Sequence, residues 1–105
     1  MQTKQSDMDF IVDNIVNLCK IPSPSGFTNR VEEYLQEKFA EIGFESSLSN
    51  KGSVIVELGG KGNPLVLAAH IDTLGAMVRS IKSDGRLRFT KVGGYPGNNV
   101  EQENC

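Results

Sequence analysis

The sequence predicts an α/β chain: a helix–helix–strand start of a mixed sheet flanked by helices, followed by the opening of a β-rich segment. Three observations predict this. Two stretches with apolar residues at helical spacing fill residues 6–42. The run Leu65-Val66-Leu67-Ala68-Ala69 is apolar at every position, as a strand covered on both faces would be. From residue 76 the pattern changes to polar–apolar alternation around Ser83-Asp84-Gly85, the mark of a half-exposed antiparallel pair.

The first helix is expected to start near Ser6, where Ser6 and Asp9 form a capping-box-like pair and Asp7 and Asp9 suit the positive helix end. Met8, Ile11, Val12, Ile15, Leu18 and Cys19 then fall on one stripe, which the helix should bury. Pro22 and Pro24 end it, and Pro22-Ser23-Pro24-Ser25-Gly26 reads as a loop, either a plain helix–helix connector or a segment near a site. A second helix is expected from about Gly26 to Ile42, with Phe27, Val31, Tyr34, Leu35, Phe39 and Ile42 on its inner face. Its acidic outer face reads as solvated surface, and Gly43 occupies the place of a left-handed cap.

Phe44–Ser49 and Ser53–Leu58 flank Asn50-Lys51-Gly52, a hairpin-type turn. The Gly59–Pro64 stretch is Gly-rich, but it lacks the Lys-Ser/Thr ending and following helix of a phosphate loop. Residues 64–70 form the expected central strand. Beyond it, Arg86, Arg88 and Thr90 alternate with Leu87, Phe89 and Lys91, while Gly93 to Asn99 reads as a connection to something further on. With no closing amphipathic element after it, the chain reads as the N-terminal portion of a longer protein.

Composition narrows the function classes. The chain has 105 residues, a formal charge of −2 and scattered Lys and Arg, which argues against an electrostatic nucleic-acid binder. No apolar run reaches the length of a membrane span, and the N-terminus leads into an amphipathic pattern instead of a signal-peptide core. Cys19 and Cys105 make no disulfide framework, so a cytoplasmic protein is expected.

The chemistry centres on His70-Ile71-Asp72. Strand side chains alternate, so His70, the chain's one histidine, shares a face with Asp72 where a strand gives way to a loop. Ligand sites in sheets flanked by helices commonly lie at such ends. A lone histidine at a strand end is more often a hydrogen-bonded structural residue than a metal ligand. A ligating histidine, however, needs its second ring nitrogen held by an acceptor, and a carboxylate two residues on can supply that.

The context decides for the metal. His70-Ile71-Asp72 after an apolar strand and before Leu74-Gly75-Ala76-Met77-Val78 resembles the first metal-binding motif of the co-catalytic dinuclear metallopeptidases. Within that clan the chain most resembles the tetrahedral glutamyl and deblocking aminopeptidases, metallopeptidase family forty-two. Ile21-Pro22-Ser23-Pro24-Ser25-Gly26 and the segment from Gly85-Arg86-Leu87 to Gly93-Gly94 extend the resemblance over nearly the whole chain. Two positions depart from the family pattern, Thr73 where Glu is common and Ala76 where many members carry a bulky residue. Neither is a ligand position, so they bear on substrate preference.

The resemblance implies a zinc-peptidase-like fold, with residues 1–74 in the catalytic α/β domain and 75–105 opening an inserted β-rich dimerisation domain. It implies His70 as a metal ligand and Asp72 as the catalytic carboxylate that orients it. It also implies two divalent ions, Zn²⁺ or Co²⁺, a metal-activated water, a glutamate base, and further ligands beyond residue 105. The whole protein would then be a peptide-cleaving aminopeptidase and a homo-oligomer built from dimers, a dodecamer. This chain alone would be inactive and would hold metal weakly or not at all.

Other readings stay open at this point: a deacylase or carboxypeptidase-type hydrolase of the same clan, or a non-catalytic α/β assembly module. Asp84, Glu57, Glu101 and Glu103 show no ligand spacing relative to His70. A Ser-His-Asp hydrolase would need Gly-x-Ser-x-Gly, and a Cys-His enzyme would need Cys19, placed on a buried helix face, as nucleophile.

Overall fold

A computed structural model describes residues 4–101. Two helices precede two antiparallel strand pairs, so the α/β class holds.

Helix α1 spans Gln5–Cys19. It starts ahead of Ser6 because the Asp7 carboxylate accepts the Lys4 backbone N–H at 3.1 Å, satisfying one of the donors that a helix start leaves open. The expected apolar stripe is present but not buried: Met8, Ile11, Val12 and Ile15 are 46–55% exposed. Among the described residues no element covers that face. Tyr34 reaches across from the second helix, its hydroxyl donating to Asn14 Oδ1 at 3.3 Å. Cys19 is exposed, not on a buried face. Cys105 lies outside the described residues.

Helix α2 spans Asn29–Glu41 and begins three residues later than expected. Gly26 takes φ 86°, a left-handed conformation no α-helix continues, and the Phe27 N–H closes a turn onto Pro24 O at 2.8 Å. Phe27 is therefore exposed instead of packed. Thr28 occupies the N-cap position, but its hydroxyl donates to Glu32 Oε1 at 2.5 Å instead of accepting a helix amide. Val31 is fully buried, Tyr34, Leu35 and Phe39 are half-buried, and Ile42 is exposed. The helix ends in a Schellman closure: Gly43, at φ 89°, donates to Ala40 O at 3.0 Å and Phe44 donates to Phe39 O at 2.9 Å.

Strands β1 (Ser46–Leu48) and β2 (Val54–Val56) pair antiparallel, with Ser47 opposite Ile55. Gly52 supplies the positive φ of their turn, and Ser49 Oγ accepts the Lys51 and Ser53 amides at 3.3 and 3.0 Å. This pair packs against α2 and turns Val54 and Val56 inward.

Residues 64–70 depart from expectation. No described strand pairs with them, and Leu65, Val66 and Leu67 are 82–84% exposed. A central parallel strand requires hydrogen-bonding neighbours on both edges and helices on both faces. The described residues provide neither.

Strands β3 (Gly75–Ile81) and β4 (Leu87–Val92) form the expected hairpin. Gly85 takes φ 83° in its turn, where Asp84 accepts the Arg86 backbone N–H at 3.1 Å and its Nε–H at 2.8 Å. A bulge falls between Val78 and Ser80: Val78 lies opposite Phe89 and Ser80 opposite Arg88, leaving Arg79 unpaired. Strict alternation would place Ile81 beside Met77. The bulge instead places it with Val78, Leu87 and Phe89 on one face. Buried Tyr95 pins the hairpin base, its hydroxyl donating to Gly75 O at 2.8 Å, while Lys91 Nζ donates to Tyr95 O at 2.7 Å. The stretch read as a connection ends in one 3₁₀ turn, Gly97–Val100.

Candidate metal-ligand site

The site forms where the loop after α1 meets the chain after His70. Pro24 and Thr73 make a parallel bridge. The Thr73 N–H donates to Ser23 O at 2.8 Å, and the Ser25 N–H donates to Thr73 O at 3.4 Å. Ser23, 1% exposed, donates its hydroxyl to Ile71 O at 3.2 Å, so its burial costs no unmet polar group. The same approach requires a glycine at 75, since a Cβ there would lie 2.6 Å from Pro24 Cβ. Of the two readings of the Pro-Ser-Pro-Ser-Gly loop, the structure places it at the site.

His70 and Asp72 come together as the alternation of an extended segment requires, with Nδ1 of His70 3.3 Å from Oδ1 of Asp72. The other oxygen of Asp72 accepts the Ser25 hydroxyl at 2.5 Å. That hydrogen bond chiefly holds the Asp72 carboxyl below the usual carboxylate range; partial desolvation opposes it and His70 adds to it. Asp72 is thus held ionised, an acceptor for both neighbours. The His70 side chain is 88% exposed, and with Nδ1 facing the carboxylate its Nε2 is the remaining ring nitrogen. Such an arrangement suits metal ligation by one imidazole.

The donor set of this chain goes no further. Among the described residues no group of three or more His, Cys, Asp or Glu side chains converges on one point. Asp84 is engaged with Arg86 in the hairpin turn, where that side chain holds its carboxyl below the usual range. Glu103 lies outside the described residues. The residues present therefore fit one ligand and its orienting carboxylate, with room beside them. A groove of about 600 Å³ runs from His70 and Asp72 past Ser25 to Thr28 and Glu32 of the α2 start and Lys51 of the β1–β2 turn.

Ser23 and Ser25 are the site residues that sequence reasoning did not single out. The one signal was the loop itself, two hydroxyl residues each following a proline. Nothing in a linear pattern links position 25 to position 72.

A histidine braced by a carboxylate beside an open groove, in an α/β chain, is an arrangement of the kind that metallohydrolases use. The class is narrowed by sequence comparison: the chain belongs to the M42 glutamyl aminopeptidase family, whose profile matches residues 52–105. YhfE of Bacillus subtilis, which carries an aminopeptidase name, is 42% identical over 93 residues, covering 87% of this chain and 27% of that protein. The glutamyl aminopeptidase of Lactococcus lactis is 33% identical over 88 residues, 81% of this chain and 25% of its own. FrvX of Escherichia coli, also named as an aminopeptidase, is 30% identical over 84 residues, 80% and 24% of the two chains. The chain spans about a quarter of the length of these relatives. Among the described residues no helix is long and apolar enough to cross a membrane.

Proposed function

We propose that the whole protein is a metal-dependent aminopeptidase that removes N-terminal residues from peptides, and that these 105 residues are its N-terminal portion. The observation that carries this reading is the His70–Asp72 pair at 3.3 Å, braced by Ser25, in a chain of the M42 family. His70 binds one metal through Nε2. Asp72 fixes the ring and raises its basicity. When bound, a pair of Zn²⁺ or Co²⁺ ions supplies an activated water and polarises the scissile carbonyl. The groove beside His70 gives the peptide a place to lie.

Residues 1–74 belong to the catalytic α/β domain and 75–105 open an inserted β-rich domain through which subunits pair, with a cytoplasmic dodecamer as the assembly. This chain alone is inactive, because one ligand cannot hold a pair of ions.

The test is release of the amino-terminal residue from glutamyl and leucyl p-nitroanilides by the purified whole protein. Release should stop with a chelator, return with Zn²⁺ or Co²⁺, and fail on substrates with a blocked amino terminus. Turnover that ignores the chelator overturns the metal reading. Turnover by the 105-residue chain with added metal overturns the claim that the site is completed elsewhere.

A further inference from the structure

We propose that Ser25 is a positioning residue for the His70 ring: its hydroxyl fixes the plane of the Asp72 carboxylate, which in turn holds the proton on Nδ1 and leaves the Nε2 lone pair for a divalent cation. This rests on His70 being a ligand, and the serine's part is separable from that reading.

The hydroxyl is not needed to attach the loop. Three hydrogen bonds already do so: Thr73 N–H to Ser23 O, Ser25 N–H to Thr73 O, and Ser23 hydroxyl to Ile71 O. Pro22 and Pro24 restrict the backbone on either side of Ser23, and Gly26, at φ 86°, turns the chain directly after Ser25. Ser25 therefore sits on a fixed backbone with its Oγ spent on the carboxylate alone. Asp72 needs such a hold. Its side chain is 43% exposed, and a carboxylate on an open segment rotates among its rotamers unless something fixes it. With Oδ2 held at 2.5 Å, Oδ1 is presented to Nδ1. The nitrogen that carries the proton is set by the bond the other makes, so a fixed acceptor at Nδ1 selects the form that ligates through Nε2. Without it, an imidazole in water favours the proton on Nε2, the form unable to bind metal there.

The sequence contains one histidine, so nitrogen-15 histidine labelling gives one imidazole to observe. Spectra of the 105-residue chain above the imidazole's titration range, taken by magic-angle spinning on sedimented protein, read the ratio of Nδ1–H to Nε2–H forms directly. The wild type should favour Nδ1–H. S25A should lower the ratio at least about threefold, the scale of one hydrogen bond, and S25T, which keeps a hydroxyl, should restore it. D72N should lower it as well. An unchanged ratio in S25A, or a ratio in S25T no better than in S25A, overturns the proposal for Ser25 and leaves His70 and Asp72 standing. A wild type that already favours Nε2–H overturns the pairing of His70 with Asp72 itself.

Discussion

The chain on the two sides of His70 is held in opposite ways. Before it, Leu65, Val66 and Leu67 lie 82–84% exposed with no strand beside them. After it, Ile71, Thr73 and Gly75 have their carbonyls bonded to Ser23, Ser25 and Tyr95, and Asp72 is gripped through its side chain. The apolar side is the stronger strand former by composition, yet the polar side is the one that is tied down. A strand needs a partner edge, whereas a segment with free carbonyls needs only a few donors on a stiff loop. The orienting carboxylate is therefore fixed by contacts within this chain, while the histidine backbone stands at the border of the untied stretch.

The largest effect expected is at that border. In the whole protein, His70→Ala removes the proposed ligand, so one metal per subunit should be lost and activity should fall to background. Mass-spectrometric metal content with p-nitroanilide turnover measures both. Two metals and near-normal turnover would make His70 structural. On the tied side, Asp72→Asn keeps the size and a carbonyl acceptor but loses the charge, which should cost about 10–100-fold in metal affinity or activity. Excess metal should partly rescue this variant and not His70→Ala.

A third measurement sets the two sides against each other. Gly75→Ala drives a methyl into Pro24 and should destabilise the chain by about 1–3 kcal/mol in urea unfolding. Leu67→Ser on the untied side should change stability by less than about 0.5 kcal/mol. Equal effects would erase the contrast.

The smallest effect concerns acid. The carboxyls of Asp72 and Asp84 are both held below the ordinary value of 3.8, by Ser25 and by Arg86 first of all. Their stabilisation is complete above that value and is lost as pH falls through the lower folded-state values. Asp84→Asn should shed a small part of the acid-induced loss, seen as a shallower fall in circular dichroism below about pH 4. An unaltered acid profile would show that the turn does not depend on that charge.

Much of this arrangement is legible in the sequence, and the gaps have physical causes. Ser83-Asp84-Gly85 marks the hairpin because the turn is local, and His70 and Asp72 share a face because alternation is local. The α2 start shifts because Gly26 adopts a left-handed φ that periodicity cannot register. The stripe on α1 and the run 65–69 are read correctly as apolar, but what covers them is a tertiary matter that composition does not contain. Ser25 is missed for the same reason: its partner is 47 residues away, and no spacing rule reaches that far.

The unpaired Arg79 gives the hairpin a residue its register does not use. Deleting it would leave Val78 opposite Phe89 and Ser80 opposite Arg88, with every other side chain looking the way it looks now. Deleting one residue from the regular run at Ala76–Val78 or Phe89–Lys91 would exchange the two faces beyond the cut. The ribbon can thus lose length at one point and keep its sidedness, at the cost of the extra twist that a bulge provides.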